Sequence, residues 1–333
     1  MSDQLLLTAK ETAVRIADGR VLALAGEEAL LAQLPPGRWI AGTSPYFMTA
    51  AGGCLCRDRI FVTDLTLHAK EVRLLTYESN RLAQLYEDAD ENEVSLVILA
   101  AGSAVHREFA LNAPNYPAFA MHPLVGWVAG TDLAAPASVV PKVFCGTAKG
   151  RTDCVSVLRF RLPVGQYARI DTINLFRPGA GAALKFIEAG FAVQAVQVNG
   201  KPRLFSEYLV EESVDTRLPL VADHCGTMIN VAFKDAGRTD GRVEFFAPVW
   251  PGIEYRFAAP MGDYVTGFEA ALQKLPPGEV LFSCNCILNY LYSRLEGRST
   301  GSMVGPITFG EIAYQLLTQT LACLTVGQHS PNN

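Results

Sequence analysis

The chain has 333 residues, half of them hydrophobic and 18% charged, with 28 Lys and Arg against 33 Asp and Glu for a formal net charge of -5. That composition excludes a disordered, collagen-like, coiled-coil or small disulfide-stapled protein, and it leaves no basic field for nucleic-acid phosphates. At about 100–200 residues per domain, the length points to two domains or one large duplicated unit.

The first residues carry Asp3 and lack the basic and apolar regions of a signal peptide, so the eight Cys read as reduced thiols of a cytoplasmic protein. Residues 5–17 place apolar side chains at helical spacing up to the turn Asp18-Gly19, and residues 27–33 form a second short helix. Leu34-Pro35-Pro36-Gly37 stops that helix and launches a strand, Arg38 to Gly42, that runs into Thr43-Ser44. A strand follows at 60–65 and a helix at 77–86 with Leu82 and Leu85 on one face. An acidic loop leads to 94–101, an apolar run suited to a strand buried on both faces. The longest apolar windows, 21–34 and 94–105, contain Glu27 and Glu28 or Ser95, Gly102 and Ser103. They fall short of the roughly 20 apolar residues of a membrane span, so no membrane partner is expected despite a mean hydropathy of +0.18.

A strand at 119–132 reaches a glycine-bearing turn, and 138–148 and 153–162 read as neighbouring strands. Beyond a boundary placed at 165, the pattern gives a helix at 180–189, a strand at 193–198, a bend at Asn199-Gly200-Lys201-Pro202 and a helix at 204–210. Strands at 228–233, 243–246 and 254–257 precede a helix at 263–275. Leu275-Pro276-Pro277-Gly278 then repeats the earlier stop signal and opens a strand at 279–283, which suggests a duplication. A last helix is expected at 312–317, capped by Glu311. The fold class is therefore α/β, with α+β as the variant: two related mixed-sheet halves, 1–165 and 166–333, flanked by helices.

Chemistry-bearing motifs are few. Cys54/Cys56 and Cys284/Cys286 are Cys-x-Cys pairs whose thiols share a face on a strand; four thiolates would close a tetrahedral metal site if the pairs met, whereas the plain alternative is buried packing. His122 and His224 stand outside any metal-ligand spacing, and Asp223-His224-Cys225 cannot form a triad because adjacent side chains diverge. There is no phosphate-binding loop, dinucleotide fingerprint or nucleophile elbow. The block from Ser283 to Gln319-Thr320 is richest in small and polar residues, and Glu311 adds a charge suited to an ammonium or an amide donor.

This block resembles the C-terminal part of the FIST domain, a bacterial sensory module. The resemblance rests on Val193 to Leu209, with its Asn199-Gly200-Lys201-Pro202 turn, on Leu281-Phe282-Ser283-Cys284, on Gly305 to Ile312 with its Gly-x-x-Thr-x-Gly-Glu-Ile pattern, and on Gln319-Thr320. In the first half Trp39 to Ser44 and Leu124 to Asp132 are similar to its strand ends, with Trp127 and Gly130 as departures. The resemblance implies a stand-alone sensory protein that binds a small, amino-acid-like molecule and signals through a separate partner protein. The ligand crevice would be formed by Thr43, Ser44, Gly126, Cys284, Asn285, Thr308, Gly310 and Glu311, with no catalytic residue and no required cofactor. Two alternatives stand beside it: a thiol-dependent enzyme using Cys284 or Cys225, and a haem or metal sensor with His122 or His224 as the axial ligand.

Overall fold

The computed structural model describes residues 6–90, 92–224, 226–237 and 239–328. Leu22–Gly26, Trp39–Thr43, Glu93–Ala100 and Leu124–Ala129 are buried along their whole length, as near-continuous apolar runs require when both faces of a sheet are covered. Strands make up 42% of the chain, in five mixed or antiparallel sheets with seven helices among the described residues. The mixed α/β class expected from the sequence holds.

Three of the sheets follow one plan. The first runs Leu6–Leu7, Ile60–Asp64, Leu22–Gly26, Trp39–Thr43, Val143–Cys145. The second runs Lys70–Glu78, Cys154–Arg161, Glu93–Ala100, Leu124–Ala129, Glu311–Ala313, and adds Gln315–Leu317. The third runs Gln166–Ile173, Leu321–Gln328, Glu279–Cys286, Gly305–Thr308, Tyr46–Thr49, and adds Gly52–Leu55. In each, the third and fourth strands are parallel and all other neighbours are antiparallel. A parallel pair needs a crossover, and each crossover carries a helix: Glu28–Leu31, Ala104–Asn112 and Ile287–Tyr292.

The fifth strand of each sheet is borrowed. Tyr46–Thr49, from the first unit, pairs with Gly305–Thr308; Glu311–Ala313, from the third, pairs with Leu124–Ala129; Val143–Cys145, from the second, pairs with Trp39–Thr43. The exchange is cyclic. The repetition thus has three units, residues 6–64, 70–161 and 166–328, rather than two halves, and the strand exchange crosses residue 165 twice. The remaining two sheets lie within residues 184–257 of the third unit. The two Leu-Pro-Pro-Gly copies do not mark the repeat, since the first precedes the fourth strand of its sheet and the second precedes the third strand of another. The three sheets share a core that includes Ile40, Phe47, Trp127, Phe282 and Leu324, with Trp127 stacked on Phe282 at 5.3 Å.

Several local expectations change. Residues 77–86 are split between the end of Lys70–Glu78, a 3-10 turn and the short helix Gln84–Glu87. The 180–189 segment holds the strand Leu184–Lys185 instead of a helix. Residues 312–317 form a hairpin around Tyr314, whose φ of 62° cannot continue a helix. Val143–Cys145 and Cys154–Arg161 belong to different sheets. Asn199 and Gly200, at φ 48° and 79°, form a tight two-residue turn closed by the Val198 and Lys201 pair, not a loose bend. Pro202 is tolerated because Lys201–Leu204 is an edge strand, where a missing N–H faces outward.

Candidate functional site

The strand Glu279–Cys286 passes into the helix Ile287–Tyr292 without a break. At the junction, Asn285 Oδ1 accepts from the Cys286 backbone N–H at 2.8 Å. One helical turn on, Asn289 reaches back, its Nδ2 donating to Asn285 Oδ1 at 3.0 Å and to the Thr320 carbonyl at 3.3 Å. The Thr318-Gln319-Thr320 loop joins Gln315–Leu317 to Leu321–Gln328, and Gln319 holds a left-handed φ of 52°. Asn230, from the inserted sheets, fixes this loop: its Nδ2 donates to the Thr318 and Gln319 carbonyls, and its own carbonyl accepts from Thr318 Oγ1 at 2.9 Å.

Behind the loop lies Glu311, with no exposed surface. Its Oε2 accepts from the Thr320 N–H at 3.1 Å and Thr320 Oγ1 at 2.8 Å, and its Oε1 from Thr308 Oγ1 at 3.2 Å. Burial pushes its carboxyl up to about 8, and these donors only partly oppose that. Its ionisable neighbours, Tyr264, Cys284 and Cys286, are each pushed up by burial as well. Among the described residues no Lys, Arg or His pairs with Glu311.

A cavity of about 370 Å³ opens on the other side, with Phe176, Arg217, Tyr264, Asn289, Tyr292 and Gln319 in its wall. Asn289 and Gln319 are each only 2% exposed, yet Asn289 Oδ1 and Gln319 Oε1 have no hydrogen-bond partner. Their amide orientations are fixed, because the nitrogens already donate to carbonyl oxygens, Gln319 Nε2 to Arg217 at 3.0 Å. A buried amide oxygen left unpaired costs about 1–3 kcal/mol, so both amides carry an uncompensated polar atom behind the wall. Arg294 also lines the cavity and is exposed.

The eight residues expected to form a crevice are brought together, but inside packed protein rather than around an open cleft. Thr43 Oγ1 accepts from the Lys142 N–H, Ser44 Oγ donates to the Ile307 carbonyl, and Cys284 Sγ donates to the Gly126 carbonyl at 3.4 Å. Gly126 is needed for close approach, and the Gly310 carbonyl accepts from the Val128 N–H. Thr308, Asn285 and Glu311 belong to the buried network that backs the cavity. Asn289 was not singled out from the sequence, although Asn285 and Asn289 stand one helical turn apart. Gln319 was read only as half of a polar pair.

A family model matches residues 7–327, that of a family of unknown function, DUF6976. The chain belongs to DUF6976. This overturns the FIST assignment: the short motifs that suggested it, such as Gly305 to Ile312, are in this DUF6976 chain a parallel strand and a borrowed hairpin strand. No curated protein matches the chain. For DUF6976 the site must therefore be read from its own residues.

The metal and haem candidates do not converge. Cys284 lies in one packed core and Cys286 in another, and two strands separate Glu279–Cys286 from Gly52–Leu55, which carries Cys54. Among the described residues no three His, Cys, Asp or Glu side chains could hold a metal ion. His122 lines a groove of about 960 Å³ and burial lowers its imidazole to about 4. His224 stacks on Trp250 beside a different cavity. Cys225 lies outside the described residues. Among the described residues no helix is long and apolar enough to cross a membrane.

Proposed function

We propose that this chain is a cytoplasmic protein that binds a small amino-acid-like molecule in the cavity walled by Asn289 and Gln319. The observation that carries this reading is the cavity of about 370 Å³ itself, with Asn289, Gln319 and Arg294 among the residues of its wall, within the size range of small-molecule sites. The guanidinium of Arg294 in that wall suits a carboxylate. The thiol-enzyme alternative is weakened at Cys284, which is buried and held in its protonated form; a nucleophilic thiol needs access and a lowered pKa.

Thermal-shift screening against amino acids, amines and small amides tests the proposal. A ligand at a hundredfold excess over its Kd stabilises by about 2.7 kcal/mol, a readily measured rise in Tm. Asn289→Leu is expected to abolish the rise. A screen in which no compound moves Tm above noise overturns the reading.

A further inference from the structure

We propose that two copies of this chain pair through the edge strand Gln166–Ile173, antiparallel and about a two-fold axis at Ile170, so that their third sheets merge into one. The occupant of the edge is a second copy, and the pairing stands independently of the cavity reading above.

Each of the three repeated sheets opens on an edge strand, and two of those edges are protected. Leu6–Leu7 is only two residues long. Lys70–Glu78 is longer, but its register shifts opposite Arg159 to Arg161, and Glu71 there holds a left-handed φ of 47°. Short edges and bulges are the devices by which sheets avoid pairing with another chain. Gln166–Ile173 has neither. Its eight residues keep one unbroken register against Leu321–Gln328, and they include no Pro, Gly or Lys. Among the described residues, no backbone group outside the sheet bonds to the main chain of Ala168 to Ile173. Ala168 and Ile170 are only partly buried at the margin of the core, where a further strand would cover them.

The charges on the strand choose the partner and the register. In an antiparallel pair, residues whose N–H and C=O point outward must face each other, so a regular strand meeting its own copy keeps odd residues opposite odd ones. Centred on Ile170, the pairing sets Arg169 opposite Asp171 of the second copy, and the two-fold axis makes this contact twice. Moving the centre to Arg169 sets two guanidinium groups face to face, and moving it to Asp171 does the same with two carboxylates. Opposite charges across strands stabilise a pair and like charges destabilise it. Within one chain Arg169 already bonds Asp171 at 2.8 Å, so the Ile170 register closes a ring of four alternating charges without breaking that contact.

Sedimentation velocity on the full chain over a range of micromolar concentrations reads the assembly, and the wild type is expected at twice its 36.0 kDa. Arg169→Asp and Asp171→Arg each put like charges opposite one another at both contacts, and each is expected to weaken the dimer about tenfold or more. An equimolar mixture of the two variants should restore it, because each chain then meets the opposite charge. Ile170→Cys tests the axis. Cα atoms facing each other across strands lie about 4.5–5.5 Å apart, within disulfide reach, so mild oxidation should link two copies of this variant and not the wild type. In Thr172→Cys the two thiols stand four residues out of step, about 13 Å apart, and should stay unlinked. If a charge reversal does not fold, the two cysteine variants decide alone. A chain that stays at the monomer mass throughout overturns the inference. So does a dimer that neither charge reversal weakens, or one that links through position 172 and not through 170.

Discussion

A Cβ at position 126 would lie 1.8 Å from the carbonyl oxygen of Val97 on the neighbouring parallel strand, so alanine there must push two hydrogen-bonded strands apart. Gly126→Ala is expected to cost about 3 kcal/mol or more, seen as a large drop in the urea midpoint with no change in ligand preference beyond what unfolding causes. Glu311 is governed by desolvation instead. Its carboxyl is held at about 8 against an ordinary 4.5, so the unfolded chain ionises first as pH rises. The stability tied to this group is full below pH 4.5 and is lost progressively up to about pH 8, by several kcal/mol. Glu311→Gln should remove that loss, so the variant gains on the wild type in urea unfolding at pH 8.5 and not at pH 4.5. Glu311, Thr308 and Asn285 could be picked from the sequence because they are polar residues among small ones. Asn289 could not, because nothing in a local pattern says that a carbonyl oxygen will be left without a donor. That depends on where the Thr320 carbonyl and Asn285 end up.

Strands with no polar interruption, such as Glu93–Ala100, were legible because burial on both faces leaves a continuous apolar run. Segments near the borrowed hairpins were not. Ile312, Leu316 and Leu317 have spacing that suits a helix, but pairing with Val125 to Trp127 captures the first part as a strand, a tertiary effect that overrides local propensity. The Asn199-Gly200 hairpin shows the opposite balance: the dipeptide's preference for positive φ set the turn, and Pro202 mattered little because it falls on an edge. Gly200→Ala is expected to lower stability by about 1 kcal/mol, since an L-residue pays for the left-handed conformation. Asn199→Gly should change it by much less, and urea unfolding of the pair makes the comparison.

At the scale of the whole molecule, one clue to the three-unit plan stood in plain sight. Trp39-Ile40-Ala41-Gly42-Thr43 and Trp127-Val128-Ala129-Gly130-Thr131 differ at a single position and begin in equivalent strands, whereas the more conspicuous Pro-Pro-Gly repeat reflects only a common way to stop a helix. The cyclic exchange was not legible, because it is set by pairings between strands more than 90 residues apart. The charge balance of the interior gives a global prediction. Burial lowers His106 and His122 to about 4 from 6.5, so the stability that they contribute is full above pH 6.5 and is lost as pH falls towards 4. With Glu311 acting in the other direction, urea midpoints should peak near pH 6.5 and fall on both sides, with the alkaline limb flattened in Glu311→Gln; a midpoint that climbs steadily from pH 6.5 to 8.5 would contradict the buried carboxyl. The borrowed strands also constrain synthesis. Gly305–Thr308 and Leu321–Gln328 emerge from the ribosome long after Tyr46–Thr49 and Gln166–Ile173, yet the first supplies the partner of Tyr46–Thr49 and the second that of Gln166–Ile173. The early units must therefore wait, with strand edges open to mispairing, until those strands have been translated.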